Sequence, residues 1–279
     1  MTDKLLTPIV GVASIDRFTG APDGHKPQDL LPGANSVIAM VFPLLRANLN
    51  LQFIMEEKQI FPDKWRRKPQ GRVSGGWEGV GGWGPETVVQ EFNPRKHYYS
   101  HVYGRTCYET QCHEYERIAY QTAIFLEGKG YSCLMPPVAS GATFSPPPDP
   151  SVFGAIFSFR HACVAAGLGE LAPNGLFMTP EHGPRVRIGA LITTAPLAPD
   201  PLLMEPLCLQ LKGESCLECL KACPQHIFGP PFNLFELNIG GKRNLQARSD
   251  PTKCLGRTNY CRGVCHYACP IGRKEPFKP

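Results

Sequence analysis

The chain has 279 residues, of which 42% are hydrophobic and 19% charged, so it is able to bury one large core or two smaller ones. Its formal net charge of +5 is mild and does not demand a nucleic-acid partner. The longest apolar run, VIAMVFPLL at 37–45, is shorter than the roughly 18 residues of a membrane-spanning helix. Because the first residues also lack an export signal, we expect a cytoplasmic protein without a membrane partner.

Strands and amphipathic helices alternate in the first 200 residues. Short apolar runs bounded by turn residues predict buried strands at 9–15, 36–42 and 185–197. Helical spacing of apolar residues predicts helices at 46–60, 108–129 and 157–168. This mixture is typical of the α/β and α+β classes.

A long Gly/Trp-rich segment at 66–86 carries the triplet GGW twice. A loop of this length inside a domain is usually functional or disordered. It is either a flexible excursion or a lid whose Trp77 and Trp83 cover a flat ligand.

Eight of the 12 cysteines lie between residues 208 and 269, after a change of composition at Asp200. A reducing compartment disfavours a disulfide framework, so dense cysteines there indicate metal. We therefore predict two domains, residues 1–200 and 201–279. The other cysteines are interpreted as small core residues: Cys107, Cys112, Cys133 and Cys163.

Two cysteine motifs end in Cys-Pro, as the iron–sulfur motifs of bacterial ferredoxins do. CLECLKACP at 216–224 has the order C-x2-C-x3-C-P and lacks the leading cysteine of C-x2-C-x2-C-x3-C-P, with Gly213 in its place. In two-cluster ferredoxins the cysteine before proline ligates the other cluster. The same crossover here predicts two [4Fe–4S] clusters.

Each predicted cluster takes one cysteine from the opposite motif. The ligands predicted for the first cluster are Cys208, Cys216, Cys219 and Cys269. The ligands predicted for the second cluster are Cys223, Cys254, Cys261 and Cys265. Cys208 replaces the absent leading cysteine, because its loop to Cys216 is long enough to swing back.

Two other interpretations of the cysteines stay open. Four cysteines can hold a zinc ion, often as C-x2-C pairs. Alternatively, Cys208 is a buried core thiol, and the first cluster has a non-cysteine fourth ligand or only three irons. The two Cys-Pro endings favour a pair of [4Fe–4S] clusters.

Two clusters transfer electrons but do not catalyse a reaction alone, so the first 200 residues are expected to hold the group that they reduce. No GxGxxG turn follows a strand, so a dinucleotide site is not supported. DGHKPQ at 23–28 departs from the DxHxxG signature of cobalamin modules that supply a lower histidine, because Gln28 stands where glycine is required.

Several segments resemble the iron–sulfur, cobalamin-dependent reductases, the family of epoxyqueuosine reductase and the reductive dehalogenases. The most specific is FSFRHACVAAGLGELAPNGLFMTPEHGPRVRIGALITTAPLAPD at 157–200, followed by the cysteine motifs. DLLPGANSVIAMVFPL at 29–44, YGR at 103–105 and DPTKC at 250–254 are similar to further segments of these proteins. The resemblance excepts about 46–95.

The resemblance implies a nitroreductase-like corrinoid-binding domain followed by a ferredoxin-like domain with two [4Fe–4S] clusters. In the family, the clusters reduce a base-off corrinoid, which then drives removal of a halogen or an epoxide oxygen. The implied partners are a small-molecule substrate and an external low-potential electron donor. No histidine, neither His25 nor His161, is expected to ligate cobalt.

The chain departs from epoxyqueuosine reductases after its long helix. Those proteins carry an aspartate proton donor there, whereas CLMPPVASGA at 133–142 contains no acid. With no tRNA-binding extension visible, we expect a small-molecule substrate and no nucleic acid. A second hypothesis stays open, an electron-transfer protein that reduces a partner's cofactor and has no substrate of its own.

Candidate catalytic residues are Tyr103 and Arg105, because dehalogenases use a tyrosine beside a basic residue. The alternative is that Tyr103 packs in the core and Arg105 is a surface or capping charge. Tyr98 and Tyr99 are weaker candidates for the same role.

Candidate corrinoid-binding residues lie between 160 and 187. Glycines allow the backbone to approach a flat ring, and arginines alternating on a strand share one face. The other interpretations are a helix cap and turn for the glycines and a salt-bridged face for the arginines. The candidates are Arg160, Gly167, Gly169, Asn174, Gly175, Arg185 and Arg187.

Overall fold

A computed structural model describes residues 8–57, 102–136, 156–250 and 263–273, with the side chains of 52–57 excluded. Several sequence predictions lie outside the described residues. These are the Gly/Trp-rich segment with Trp77 and Trp83, the candidates Tyr98 and Tyr99, part of the 133–142 segment, and the ligand candidates Cys254 and Cys261.

Strands and helices alternate along the described chain. The strands are β1 Ile9–Ser14, β2 Ser36–Pro43, β3 Cys133–Leu134, β4 Glu170–Leu171, β5 Phe177–Met178, β6 Val186–Thr193, β7 Leu234–Ile239 and β8 Lys242–Ala247. The helices are α1 Pro27–Leu30, α2 Arg46–Glu57, α3 Thr110–Glu127, α4 Phe159–Ala165, α5 Glu218–Lys221 and α6 Val264–Ala268. The three predicted strands and three predicted helices of the first 200 residues are confirmed, with shifted ends.

The main sheet is antiparallel, in the order β1-β2-β6-β3. β2 and β6 are its central strands and pair over their full length, from Ser36 opposite Thr193 to Pro43 opposite Val186. Every residue of β2 except Pro43 is buried. A continuous apolar run such as SVIAMVF suits a strand that is covered on both faces.

Helix α3 covers one face of this sheet through Tyr115. The Tyr115 hydroxyl donates to the Ala190 carbonyl at 2.8 Å and to the Pro136 carbonyl at 3.0 Å. Its ring lies against Gly189 of β6, where a Cβ atom would stand 1.9 Å from the ring. Only a residue without a side chain fits beneath this aromatic ring.

The β7–β8 hairpin follows residue 200 but belongs to the same hydrophobic core. Ile239 is buried in a cluster with residues of β2, α4 and β6, and Leu237 packs against it. Arg17 adds a polar tie, because its Nη1 donates to the carbonyls of Ala165 and Asp200 at 2.6 and 2.8 Å. One core therefore crosses position 200, and the division into 1–200 and 201–279 stays a prediction about functional units.

Among the described residues, no helix combines the length and apolar character needed to cross a bilayer.

Gly189→Ala tests the contact between sheet and helix. We expect a loss of about 1–3 kcal/mol in the free energy of unfolding, because the added methyl overlaps a Tyr115 ring that two hydrogen bonds hold in place. Urea denaturation gives the comparison. Gly20→Ala is the control, since a Cβ at that exposed turn meets nothing within 4 Å. Equal losses in the two variants would contradict this account of the α3 contact.

Candidate functional site

The four cysteines predicted for the first cluster form one electrostatic neighbourhood. Burial raises the pKa of the Cys219 thiol to about 12, and interaction with Cys269, Cys208 and Cys216 raises it further. Burial raises the pKa of Cys269 to about 11, with a further rise from Cys208 and Cys216. Cys208 and Cys269 also share a small hydrophobic cluster with Ala172. Residues from both cysteine motifs thus lie near one another, while their role as ligands stays a prediction.

The spacing of these thiols is wider than a single ion requires. Within the described ranges, no three His, Cys, Asp or Glu side chains are grouped closely enough to hold one metal ion. A zinc ion draws its thiolates to about 2.3 Å, whereas a [4Fe–4S] cluster is a larger body bound by four thiolates.

Backbone N–H groups point at three of the four sulfurs. The sulfur of Cys208 accepts from the backbone of Gln210 and Leu211, and each bond lowers its pKa against the effect of burial. The sulfur of Cys219 accepts from the backbone of Asn174, and that of Cys269 from Ile271. Donors of this kind stabilise thiolate charge and tune iron–sulfur clusters. The donor set therefore fits the chemistry of a cluster.

A buried ion pair positions Cys208. The Glu170 carboxylate accepts the backbone N–H of Cys208 at 2.9 Å and of Leu207 at 3.0 Å. The Lys242 ammonium lies 3.0 Å from the same carboxylate, and the two side chains are 0% and 2% exposed. Lys242 also donates to the carbonyls of Met204 and Glu205 at 3.1 and 3.0 Å. The segment leading to Cys208 is thus fixed to β4 and β8 at once.

Sequence reasoning missed both members of this pair. Glu170 and Lys242 each stand in a short polar and glycine-containing context that resembles an ordinary surface turn. Their pairing joins residues far apart in the chain, so no local pattern indicates it.

The two cysteine motifs pack together. Helix α5, which carries Cys219, contacts helix α6, which carries Cys265. Cys223 and Cys265 are half-buried. Because Cys254 and Cys261 lie outside the described residues, the ligand set of the second cluster stays a prediction.

Arg185 fastens the second motif to the sheet. Its Nη1 donates to the carbonyls of His266 at 2.9 Å and Cys269 at 3.1 Å, and its Nη2 donates to Ile271 at 2.7 Å. The end of a helix leaves such carbonyls without intrahelical partners, and the planar guanidinium satisfies several of them. Arg185 was predicted to hold a corrinoid, but the chain's own carbonyls take its donors.

Two predicted corrinoid-binding glycines approach the chain itself. A Cβ at Gly167 would stand 2.0 Å from the carbonyl oxygen of Pro201, and one at Gly169 would stand 2.0 Å from that of Met178. Arg160 likewise donates to the carbonyl of Gly175 at 2.6 Å. The need for glycine at these positions therefore has an internal explanation and gives no support to a flat ligand there.

Tyr103 has a basic neighbour, which is Arg187 and not Arg105. Nη2 of Arg187 donates to the Tyr103 hydroxyl at 3.0 Å, and its Nε donates to the Cys107 carbonyl at 2.8 Å. Its guanidinium lies 4.5 Å from the centre of the Tyr108 ring. Arg105 is exposed and pairs with Glu109 along the π-helical turn Arg105–Glu109. The predicted pair of Tyr103 and Arg105 is therefore replaced by Tyr103 and Arg187.

Tyr103 also lies beside the second cysteine motif. It is buried, with its ring centre 6.4 Å from that of His266. A Cβ at Gly263 would stand 2.6 Å from the Tyr103 ring. The phenol is thus enclosed between β6 and the segment that carries Cys265 and Cys269.

The two histidines of interest have partners within the protein. His161 Nδ1 is 2.6 Å from the Ser158 hydroxyl, and burial lowers its pKa to about 4, with a further lowering from Arg160. His25 Nδ1 is 2.9 Å from the Ile156 carbonyl. Three of the four scattered cysteines, Cys107, Cys112 and Cys163, are buried core residues as predicted.

Comparison with known proteins bears on this combination of sheet and cysteine motifs. No protein-family model matches the chain. It is 36% identical over 118 residues to the tetrachloroethene reductive dehalogenase of Sulfurospirillum multivorans, which covers 39% of this chain and 22% of that relative. It is 30% identical over 127 residues to the epoxyqueuosine reductase of Bacillus subtilis strain 168, which covers 43% of this chain and 30% of that relative. The chain is a relative of the reductive dehalogenases and epoxyqueuosine reductases.

The family resemblance seen in the sequence is thereby confirmed. A solved reductive dehalogenase, whose structure suggests a mechanism for B12-dependent dehalogenation, matches with a TM-score of 0.50 at 16% identity, over 96% of this chain and 30% of that one. This similarity supports the mixed α/β fold class. The chain spans less than a third of the length of the dehalogenase and the epoxyqueuosine reductase that it matches.

Lys242→Met tests the ion pair that holds Cys208 in this dehalogenase relative. We expect a loss of about 3–5 kcal/mol in the free energy of unfolding, because Glu170 is left buried and charged without its partner. Arg243→Met is a matched control, since Arg243 is the next residue and forms an exposed pair with Glu236. Urea denaturation should show little change in the control. Equal stability of the two variants would contradict the anchoring role.

Proposed function

We propose that the chain is an oxidoreductase in which two [4Fe–4S] clusters deliver electrons to a base-off corrinoid for reductive dehalogenation or a related reduction of a small molecule. The observation that carries the proposal is the neighbourhood of Cys208, Cys216, Cys219 and Cys269, with backbone N–H groups directed at three of the sulfurs. Its relatives include a tetrachloroethene reductive dehalogenase and an epoxyqueuosine reductase. Residues 201–279 would carry the clusters and residues 1–200 the corrinoid and the substrate.

The region around Tyr103 and Arg187 is the proposed reaction site. The corrinoid, when bound, supplies the redox chemistry at cobalt, and the protein supplies orientation and a proton. Gln111, one helical turn after Tyr108, has a buried Oε1 without a hydrogen-bond partner. A buried unpaired acceptor costs free energy, so a bound group that donates to it would be stabilised here. This orphan acceptor supports a ligand near the start of α3.

Tyr103 is the proposed proton donor. Replacing a halogen by hydrogen consumes two electrons and one proton and releases a halide ion. Arg187 remains protonated, and a cation beside a phenol favours the phenolate that forms when the proton leaves. The contact of Tyr103 with the second cysteine motif would bring the proton and the electrons to one place. The electrons would come from an external low-potential donor.

A second candidate function is an iron–sulfur electron-transfer protein without its own substrate. The internal contacts of Arg160, Arg185, Gly167 and Gly169 favour it, because four residues predicted for the corrinoid serve the fold instead. Stoichiometric corrinoid binding distinguishes the two functions. Epoxyqueuosine is tested beside halogenated substrates, because one relative is named for its reduction.

Cys269→Ser tests the predicted crossover of ligands. The wild-type chain should hold about eight irons and eight sulfides, and the variant should retain about four. Electron paramagnetic resonance should assign the loss to the cluster of Cys216 and Cys219, although Cys265 is closer in sequence. Cys133→Ser is the control and should keep all the iron, because Cys133 contacts only the Thr193 hydroxyl on the sheet. Zinc without sulfide, or loss of the other cluster, would exclude the ferredoxin-like arrangement.

Cobalamin added to the reconstituted protein should bind base-off, with a spectrum unchanged by His25→Ala or His161→Ala. Tyr103→Phe should bind equally well but turn over about 10²–10⁴-fold more slowly, because it lacks the proton. Optical titration and single-turnover assays measure these two effects. Arg105→Gln is the control and should leave both unchanged. Absence of binding at micromolar cobalamin would favour the electron-transfer protein.

A further inference from the structure

The turn between β4 and β5 carries a buried side-chain donor. Asn174 lies at its tip, and its Oδ1 accepts the backbone N–H of Leu176 at 3.1 Å. Ala172 closes the turn by accepting the N–H of Gly175 and donating to the carbonyl of Leu176, each at 2.8 Å. The bond to Leu176 identifies Oδ1 as the acceptor atom of the amide and so fixes Nδ2 on its other side.

Two further contacts immobilise this turn. Arg160 donates to the carbonyl of Gly175 at 2.6 Å from one side. From another, the backbone N–H of Ala247 in β8 donates to the carbonyl of Pro173 at 2.7 Å. The side chain of Asn174 therefore has a defined position.

The same turn lies against the cysteines predicted for the first cluster. The backbone N–H of Asn174 donates to the sulfur of Cys219. Ala172 belongs to the buried hydrophobic cluster that contains Cys208 and Cys269. Three of the four predicted ligands thus border the turn that carries Asn174.

Nδ2 of Asn174 is buried and has no hydrogen-bond partner among the described residues. An unsatisfied buried donor costs about 1–3 kcal/mol. A rigid turn that holds such a donor beside a group of thiols indicates an acceptor that the polypeptide itself does not supply. Cluster sulfides and thiolates are acceptors of this kind.

We propose that the side-chain amide of Asn174 donates a hydrogen bond to a sulfur of the first [4Fe–4S] cluster and raises its reduction potential. The inference rests on the clusters of the proposed function. Reduction adds negative charge to the cluster, so a fixed N–H dipole stabilises the reduced form more than the oxidised form. Asn174 then acts as a positioning residue for the electron and is not required to touch the substrate.

Asn174→Ser is the decisive variant, because a serine hydroxyl can still accept from the backbone two residues later while the amide donor is lost. We expect the potential of the first cluster to fall by about 59 mV, a tenfold change in its one-electron equilibrium. The potential of the second cluster should stay unchanged. Redox titration followed by electron paramagnetic resonance measures both, in protein reconstituted without corrinoid.

Asn238→Ser is the matched control. Asn238 also caps a turn through Oδ1, which accepts the N–H of Gly241 at 2.8 Å in the β7–β8 hairpin. This variant should leave both potentials unchanged. An equal fall in the two variants would assign the effect to general loosening and overturn the proposal.

A spectroscopic measurement on the wild-type chain does not depend on the folding of any variant. Labelling asparagine side-chain amides with nitrogen-15 should give a hyperfine coupling to the reduced first cluster, and Asn174→Ser should lose it. No coupling and no shift in a protein with full iron would overturn this inference alone. Zinc without sulfide would overturn it together with the proposed function. A shift that appears only after cobalamin is added would assign the amide to the corrinoid and overturn the cluster contact.

Discussion

The buried ion pair between Glu170 and Lys242 is the contact on which the arrangement of the cysteines depends. Two charges removed from water are tolerated only when hydrogen bonds satisfy their remaining atoms. Here the backbone of residues 204–208 supplies those bonds, two N–H groups to the carboxylate and two carbonyls to the ammonium. The charges therefore need the segment before Cys208 as much as the segment needs the charges. This mutual requirement gives Cys208 a single position.

A second polar contact does the same for the other cysteine motif. Arg185 gathers three carbonyls around the end of α6, so the backbone of Cys269 is held against the start of β6. The two contacts act from different strands of the first 200 residues. The cysteine-rich segment is thus positioned by the α/β part of the chain and not by its own small core.

The sequence predicted the regular elements and the cysteine motifs but not the contacts that join them. Strands such as β2 and helices such as α3 follow from local periodicity, and the Cys-Pro endings follow from spacing. The neighbour of Tyr103 was predicted two residues away at Arg105, whereas the π-helical turn leaves Arg105 exposed and a distant strand supplies Arg187. Glu170 and Lys242 are indistinguishable in the sequence from surface charges. Pairs of this kind depend on the assembled topology, which no short window of residues contains.

The β7–β8 hairpin has a consequence for the order in which the protein matures. Lys242 lies at its start and is chain-distal to Cys208, Cys216 and Cys219. While the hairpin is unfolded, Glu170 lacks its partner and the segment before Cys208 has no fixed place. A cluster offered at that stage would meet thiols without their final spacing. Iron and sulfide delivery is therefore expected to be post-translational, after the polypeptide has reached its folded topology, and the hairpin acts as the checkpoint for it.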